Sequence, residues 1–190
     1  LFYPGQLWHH KDHITVLRAL KILRDKHGLI IPLVMTGARY SASETIFEYI
    51  EENLKGQIYY LGEVSFDEIR SLYKAATFLV TAVLYESSSI PILEAAASGT
   101  PVVASKTAPN EELALRLRLN LFEPRDASSL AKTLSLVWGD TRLQQSQVSA
   151  NDDAIEYSGV VIRSLVRLIG ASRCACSNGV IRLSIVFDEL

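Results

Sequence analysis

The chain has 190 residues, 48% of them hydrophobic and 21% charged, and 19 basic residues against 21 acidic ones leave a net charge of −2. A chain of that size buries roughly 70% of its unfolded surface, so one domain can hold a core without metals or disulfides. The near-neutral balance, with a pI near 6.1, sets aside a protein built to neutralise a nucleic-acid backbone, and no apolar run approaches the ~18 residues of a membrane span.

Short apolar runs rich in branched residues alternate with amphipathic stretches, the pattern of repeated βα units on a parallel sheet. In chain order, residues 1–3 read as a strand and 12–26 as a helix with Ile14, Leu17 and Leu20 on one face. Residues 30–36 read as a strand ended by Gly37, and 43–54 as a helix with Ile46, Phe47, Ile50 and Leu54 at core spacing. Strand 58–61 ends at Gly62, and Ser65-Phe66-Asp67-Glu68 has the capping-box pattern opening a helix that ends near Ala76. Strand 78–82, helix 90–97 stopped by Gly99, strand 102–104 and helix 126–138 complete the regular part.

Beyond it, 153–169 has a helical pattern with Arg163 and Arg167 four apart on a solvated or basic face, and 180–187 alternates with Ile181, Leu183, Ile185 and Phe187 on one side. The expected organisation is an α/β, Rossmann-like domain over 1–170, a parallel sheet flanked by helices on both faces, followed by a tail, 171–190, with one strand-like segment. Cys174 and Cys176, the only cysteines, are too few for a disulfide scaffold and point to a reducing compartment. The chain opens inside a strand with no start methionine or signal pattern, and so reads as a piece of a larger protein.

Ligands of open parallel sheets sit outside the carboxyl ends of the strands, yet neither G-x-G-x-x-G nor G-x-x-x-x-G-K-[ST] occurs there. The informative segment runs from Tyr85 to Ala95. Ser89 is placed to cap a helix and Pro91 fits its first turn, which leaves the amides around residues 88–90 without intrahelical acceptors. Such an end favours an anion, and Glu94, a turn further in, is placed to accept hydrogen bonds from hydroxyls. An ordinary capped helix with a solvated glutamate fits the same spacing.

Glu86 and Glu94 stand eight apart, with Pro91 between them and the run Ala95-Ala96-Ala97-Ser98-Gly99-Thr100-Pro101-Val102-Val103-Ala104-Ser105 after them. Gly5 with Lys11, Leu61-Gly62-Glu63-Val64, Leu72-Tyr73-Lys74-Ala75-Ala76 and Leu121-Phe122-Glu123-Pro124-Arg125-Asp126 complete a set that resembles the retaining, nucleotide-sugar-dependent glycosyltransferases of group 1 (family 4). The likeness covers residues 1–142 and is to their donor-binding, C-terminal half.

That resemblance implies one half of a GT-B fold, with the active site in the cleft against an N-terminal half. It implies Glu86 and Lys11 as catalytic residues, the first toward the transferred sugar and the second toward the donor diphosphate. Gly5, Gln6, Lys11, Gly37, Val64, Glu86, Ser88, Ser89, Ile90 and Glu94 would bind the donor. Among these, Glu94 takes the ribose hydroxyls, the amides of Ser88, Ser89 and Ile90 the phosphate and sugar, and Val64 the border of the base. The implied activity moves a hexose from a nucleoside-diphosphate sugar to a saccharide or lipid-linked acceptor with retention, in the cytoplasm or at the inner face of a membrane. No metal and no other cofactor is expected, and the fragment alone is expected to be inactive.

Two departures stand out: Gln6 replaces an arginine common in the family, and Ser87-Ser88-Ser89 replaces Gly-Phe-Gly. The alternative readings are a nucleotide-sugar-binding or assembly domain without catalysis, and a nucleotide-sugar epimerase of the same fold. His9 and His13, four apart, lack a carboxylate or cysteine at ligand spacing and read as hydrogen-bonding or packing groups rather than metal ligands.

Overall fold

The computed structural model describes residues 1–87 and 89–145. The expected helix at 153–169, the tail 171–190, the domain boundary at 170 and both cysteines lie outside the described residues. Six parallel strands form one sheet: β1 (Phe2–Pro4), β2 (Leu33–Thr36), β3 (Ile58–Tyr60), β4 (Leu79–Thr81), β5 (Val102–Ser105) and β6 (Leu119–Phe122), in the order β3-β2-β1-β4-β5-β6. The connecting helices are α1 (His13–His27), α2 (Ser43–Asn53), α3 (Phe66–Ala75), α4 (Ile90–Ala97) and α5 (Ala108–Ala114), and α6 (Ala127–Gln145) follows the last strand. The expected α/β, Rossmann-like architecture is what the chain adopts.

Strands β1, β4 and β5 are buried at every position, as central strands covered on both faces must be, whereas β3 and β6 at the edges are largely half-buried. Successive strand residues point to opposite layers. Tyr3, Val80 and Val103 join Leu17, Leu20, Ile46, Leu130 and Leu134 on the face covered by α1, α2 and α6. Phe2, Leu79 and Val102 join Leu72, Tyr73, Ile92 and Ala95 on the face covered by α3 and α4.

Local signals fix the helix ends. Gly28 closes α1 at φ 61 with its amide bonded to Arg24 O, a backbone conformation that costs any other residue free energy. Ser65 and Glu68 form a reciprocal capping box at the start of α3.

Three expectations needed correction. The strand expected from residue 30 begins at Leu33, because Pro32 has no N–H for a ladder and Ile30 is left 57% exposed. Helix α5 and strand β6 were not anticipated. The final helix runs past residue 138 to Gln145.

Candidate functional site

Strand order reverses between β1 and β4, since β1 is followed by β2 on one side while β4 lies on its other side. In open parallel sheets ligands bind at such a switch point, outside the carboxyl ends of the two strands. The loops leaving β1 and β4 carry Lys11 and Glu86.

The β1 loop is held from below by glycines at the ends of neighbouring strands. Gly5 N donates to Thr36 O at 3.0 Å and Gly37 N to Gly62 O at 2.8 Å. Gly37 has φ +125, and a Cβ there would lie 2.3 Å from Gly5 O and 2.8 Å from Gln6 N. Only glycine lets the two loops approach so closely. Leu7, fully buried, anchors the next step by donating its amide to Ala38 O, and Trp8 stacks on Tyr40 at 3.9 Å. Trp8 Nε1 donates to Gln6 Oε1 at 2.9 Å, so the Gln6 side chain is oriented by the indole and its amide nitrogen is the free end.

A 3-10 turn, His9–Lys11, leads into Asp12, whose left-handed backbone at φ 49 starts α1. Tyr3, fully buried in β1, ties this turn to β4: its hydroxyl donates to Lys11 O and accepts from Ala82 N at 3.1 Å. Burial raises the Tyr3 phenol well above its ordinary range, so it keeps the proton it donates. Leu84 N donates to His10 O at 2.8 Å, and His10 stacks on the exposed Tyr85. These straps set Lys11 Nζ 2.8 Å from Glu86 Oε2, with the two side chains 21% and 13% exposed.

The other oxygen of Glu86 faces the start of α4. Ser89 Oγ lies 2.6 Å from Glu86 Oε1 and 2.5 Å from Asn110 Oδ1, sharing one hydroxyl proton between two acceptors. Asn110, wholly buried on α5, is oriented by donating Nδ2 to Ser105 O at 2.8 Å. Ser89 therefore does not cap α4 with its side chain as expected; the two oxygens draw its hydroxyl toward the site instead. The amides of Ser89 and Ile90 have no acceptor among the described residues, while Pro91 in the first turn has none to offer. Ser88 lies outside the described residues.

Glu94, half-buried in the second turn of α4, accepts a hydrogen bond of 2.7 Å from the hydroxyl of Tyr73. Burial, then this carboxylate, push the phenol of Tyr73 far above its usual range. Val64, half-buried, packs against the apolar cluster that contains Leu72 and Tyr73. The structure thus brings Lys11, Glu86 and Ser89 into direct contact, joins Gly5 to Gly37, fixes Gln6 through Trp8, and sets Val64 and Glu94 beside Tyr73's cluster; Ile90 is 58% exposed on α4.

His9 lies in the 3-10 turn and His13 is buried in α1, so the two do not share a helix face; among the described residues no group of three His, Cys, Asp or Glu is arranged for a metal. Tyr3 and Asn110 were missed in the sequence. Pro109, at the position a helix's first turn tolerates, was the available signal for α5 and hence for Asn110.

A family profile described as "Glycosyl transferases group 1" matches residues 1–140. The chain belongs to the group 1 glycosyl transferases. This glycosyltransferase domain is 35% identical over 101 residues to the O-antigen chain mannosyltransferase RfbU of Salmonella typhimurium, a match over 53% of this chain and 28% of that protein. It is 33% identical over 104 residues to the O-antigen chain mannosyltransferase B of Escherichia coli, over 54% and 27% of the two chains. The chain thus spans about a quarter of the length of these relatives.

Among solved structures, Anabaena HepE in complex with UDP and glucose superposes with a TM-score of 0.64 at 19% identity, over 87% of this chain and 47% of that one. The catalytic domain of cholesterol-alpha-glucosyltransferase from Helicobacter pylori superposes with a TM-score of 0.61 at 21% identity, over 86% and 98%. At these identities the likeness is one of fold, the Rossmann-like half of a GT-B glycosyltransferase.

Proposed function

We propose that this domain binds the donor of a retaining hexosyltransferase, which takes a nucleoside-diphosphate sugar and passes its hexose to a saccharide or lipid-linked acceptor held by an N-terminal half. The observation that carries the proposal is the Lys11–Glu86 pair at the switch point, beside the unsatisfied amides that open α4. As the donor's sugar–phosphate bond breaks, negative charge grows on the diphosphate. Lys11 and the amides of Ser89 and Ile90 stabilise that charge without solvent reorganisation, the first as a cation and the others at the positive end of a helix. No metal is required in this scheme, because lysine and helix supply the positive field.

Glu86 accepts hydrogen bonds from hexose hydroxyls, and Glu94 from the ribose. Gly5 and Gly37 let the donor's phosphates approach the backbone, Gln6 offers its amide nitrogen to them, and Val64 borders the base. The names of the two bacterial relatives, both O-antigen chain mannosyltransferases, favour mannose as the hexose transferred. The reaction belongs, on this reading, to the cytoplasm or the inner face of a membrane. No described helix is long and apolar enough to cross a membrane.

The test is thermal and urea unfolding in the presence of UDP, GDP and ADP, each with and without a chelator. A ligand at 100 times its dissociation constant should stabilise by about 2.7 kcal/mol, unchanged by chelation. Absence of stabilisation by all three nucleotides would overturn the donor-binding assignment, and stabilisation lost on chelation and restored by magnesium or manganese would overturn the metal-free scheme.

A further inference from the structure

Tyr73 is 2% exposed, yet it carries a hydroxyl into the candidate site. Its ring meets Phe2 edge-to-face at 5.2 Å, and its carbonyl accepts the Thr100 hydroxyl at 2.6 Å and the Ala76 amide at 3.2 Å. Thr100 in turn donates its amide to Ala95 O at 2.9 Å, one residue after Glu94. Ring, carbonyl and hydroxyl of Tyr73 are therefore each fixed, the ring by β1, the carbonyl by Thr100 in the turn that follows α4 and the hydroxyl by α4 itself. The hydroxyl meets Glu94 Oε2 at 2.7 Å.

Glutamate is among the side chains that lose most rotamer freedom when they are held in place. A half-buried glutamate on a helix has several rotamers within reach, and a ligand that needs one of them bears the cost of selecting it. A donor anchored in the core and aimed at one carboxylate oxygen makes that selection before any ligand arrives. It also leaves the second oxygen, and a lone pair on the first, free to accept.

We propose that Tyr73 is a positioning residue for ribose recognition, holding the Glu94 carboxylate so that its free lone pairs face the ribose hydroxyls. This deepens the reading given above and rests on the assignment of Glu94 to the ribose. Tyr73 itself touches no part of the nucleotide. Because its phenol is held well above the usual range, it remains a hydrogen-bond donor throughout the range in which the protein would work. The preference it supports is for a ribonucleotide over one that lacks both hydroxyls.

The experiment is calorimetric titration of the full-length protein with UDP and GDP and with their 2′,3′-dideoxy forms, for the parent, Tyr73→Phe, Glu94→Gln and the double variant. The parent should prefer the ribo form by about tenfold or more, as expected for charge-assisted hydrogen bonds. Glu94→Gln should largely remove that preference. Tyr73→Phe should cut it to roughly a third or less through the ribo form alone, and the double variant should lose no more than Glu94→Gln does.

A Tyr73→Phe protein that keeps the full preference overturns the inference and leaves Glu94's role standing. A Tyr73→Phe protein that weakens ribo and dideoxy forms alike also overturns it, since a general loss of structure acts on both. A parent that binds both forms equally removes the ribose reading of Glu94 and the inference with it. Should Tyr73→Phe not fold, para-fluorophenylalanine incorporated in place of Tyr73 fills the hydroxyl's position without a proton to donate and leaves Glu94 intact: preference lost through the ribo form alone supports the inference and retained preference overturns it.

Discussion

Replacing His13 by phenylalanine should make the fold less sensitive to acid. His13 opens α1 at 1% exposure, its ring stacks on Tyr3 at 4.2 Å, and among the described residues neither ring nitrogen has a partner. Burial, and after it the charge of Lys11, push its pKa from 6.5 down to about 3. Between those two values the unfolded chain binds a proton that the folded chain refuses. The unfolded state thus holds more protons, and stability from this group falls as pH drops through the window and is regained as pH rises.

Each pH unit well below the unfolded value is worth about 1.4 kcal/mol, so the loss between pH 7 and pH 5 comes to about 2 kcal/mol. Phenylalanine keeps the stacked ring and removes the titration. Urea unfolding of both proteins at the two pH values should show the parent losing about 2 kcal/mol more than the variant, with the two within about 1 kcal/mol of each other at pH 7. Identical pH dependence in parent and variant would mean that the folded protein accepts the proton at His13, and the reasoning from its burial would be wrong.

Glu86→Gln frees Lys11 from its carboxylate, so it should leave affinity for the free nucleoside diphosphate at or above the parent's while weakening the nucleotide-sugar, by calorimetry, and should reduce turnover in the full-length enzyme. Lys11→Met should weaken the nucleoside diphosphate by about tenfold or more, as loss of a charge-assisted contact implies; equal affinity in parent and variant would remove Lys11 from the phosphate site. Gly37→Ala should cost roughly 3 kcal/mol or more in urea unfolding, because its Cβ collides with Gly5 in a strained backbone. Asn110→Ala should cost about 1–3 kcal/mol in urea unfolding by removing the buried amide that bonds both Ser105 O and the Ser89 hydroxyl, and should also loosen Ser89.

How far the sequence reached depended on the range of the forces involved. The strands and helices around Gly37, Gly62, Ser65 and Gly99 were legible, because hydrophobic periodicity and turn chemistry are local. Helix α5 was not: at seven residues it is too short to display a period, and its one wholly buried side chain, Asn110, is polar. Strand β6 was hidden for a different reason, since an edge strand with half-buried residues carries a weak pattern. In the site, Lys11, Glu86 and Glu94 were found through a motif. Their neighbours Tyr3, Tyr73 and Asn110 come from distant parts of the chain, and only the folded topology shows that Tyr73 reaches Glu94 or that Asn110 reaches Ser89. Ser89 itself was read as a cap because Glu86 and Asn110, the oxygens that redirect it, could not be placed from spacing alone.

The contact between Lys11 and Glu86 means that the charges at the switch point already neutralise each other. On the proposed reading, a diphosphate that came to Lys11 would find an occupied partner and would have to draw the ammonium away from Glu86 or share it. In that same movement the carboxylate would lose its counter-charge and turn to whatever donors lay next to it. The phosphate end of a ligand and its neighbouring end would thereby be coupled through one exchange, each gaining its contact as the other does. On the ligand's departure the two side chains would again be each other's nearest charge, so the pair would act as a built-in competitor for the group to be released.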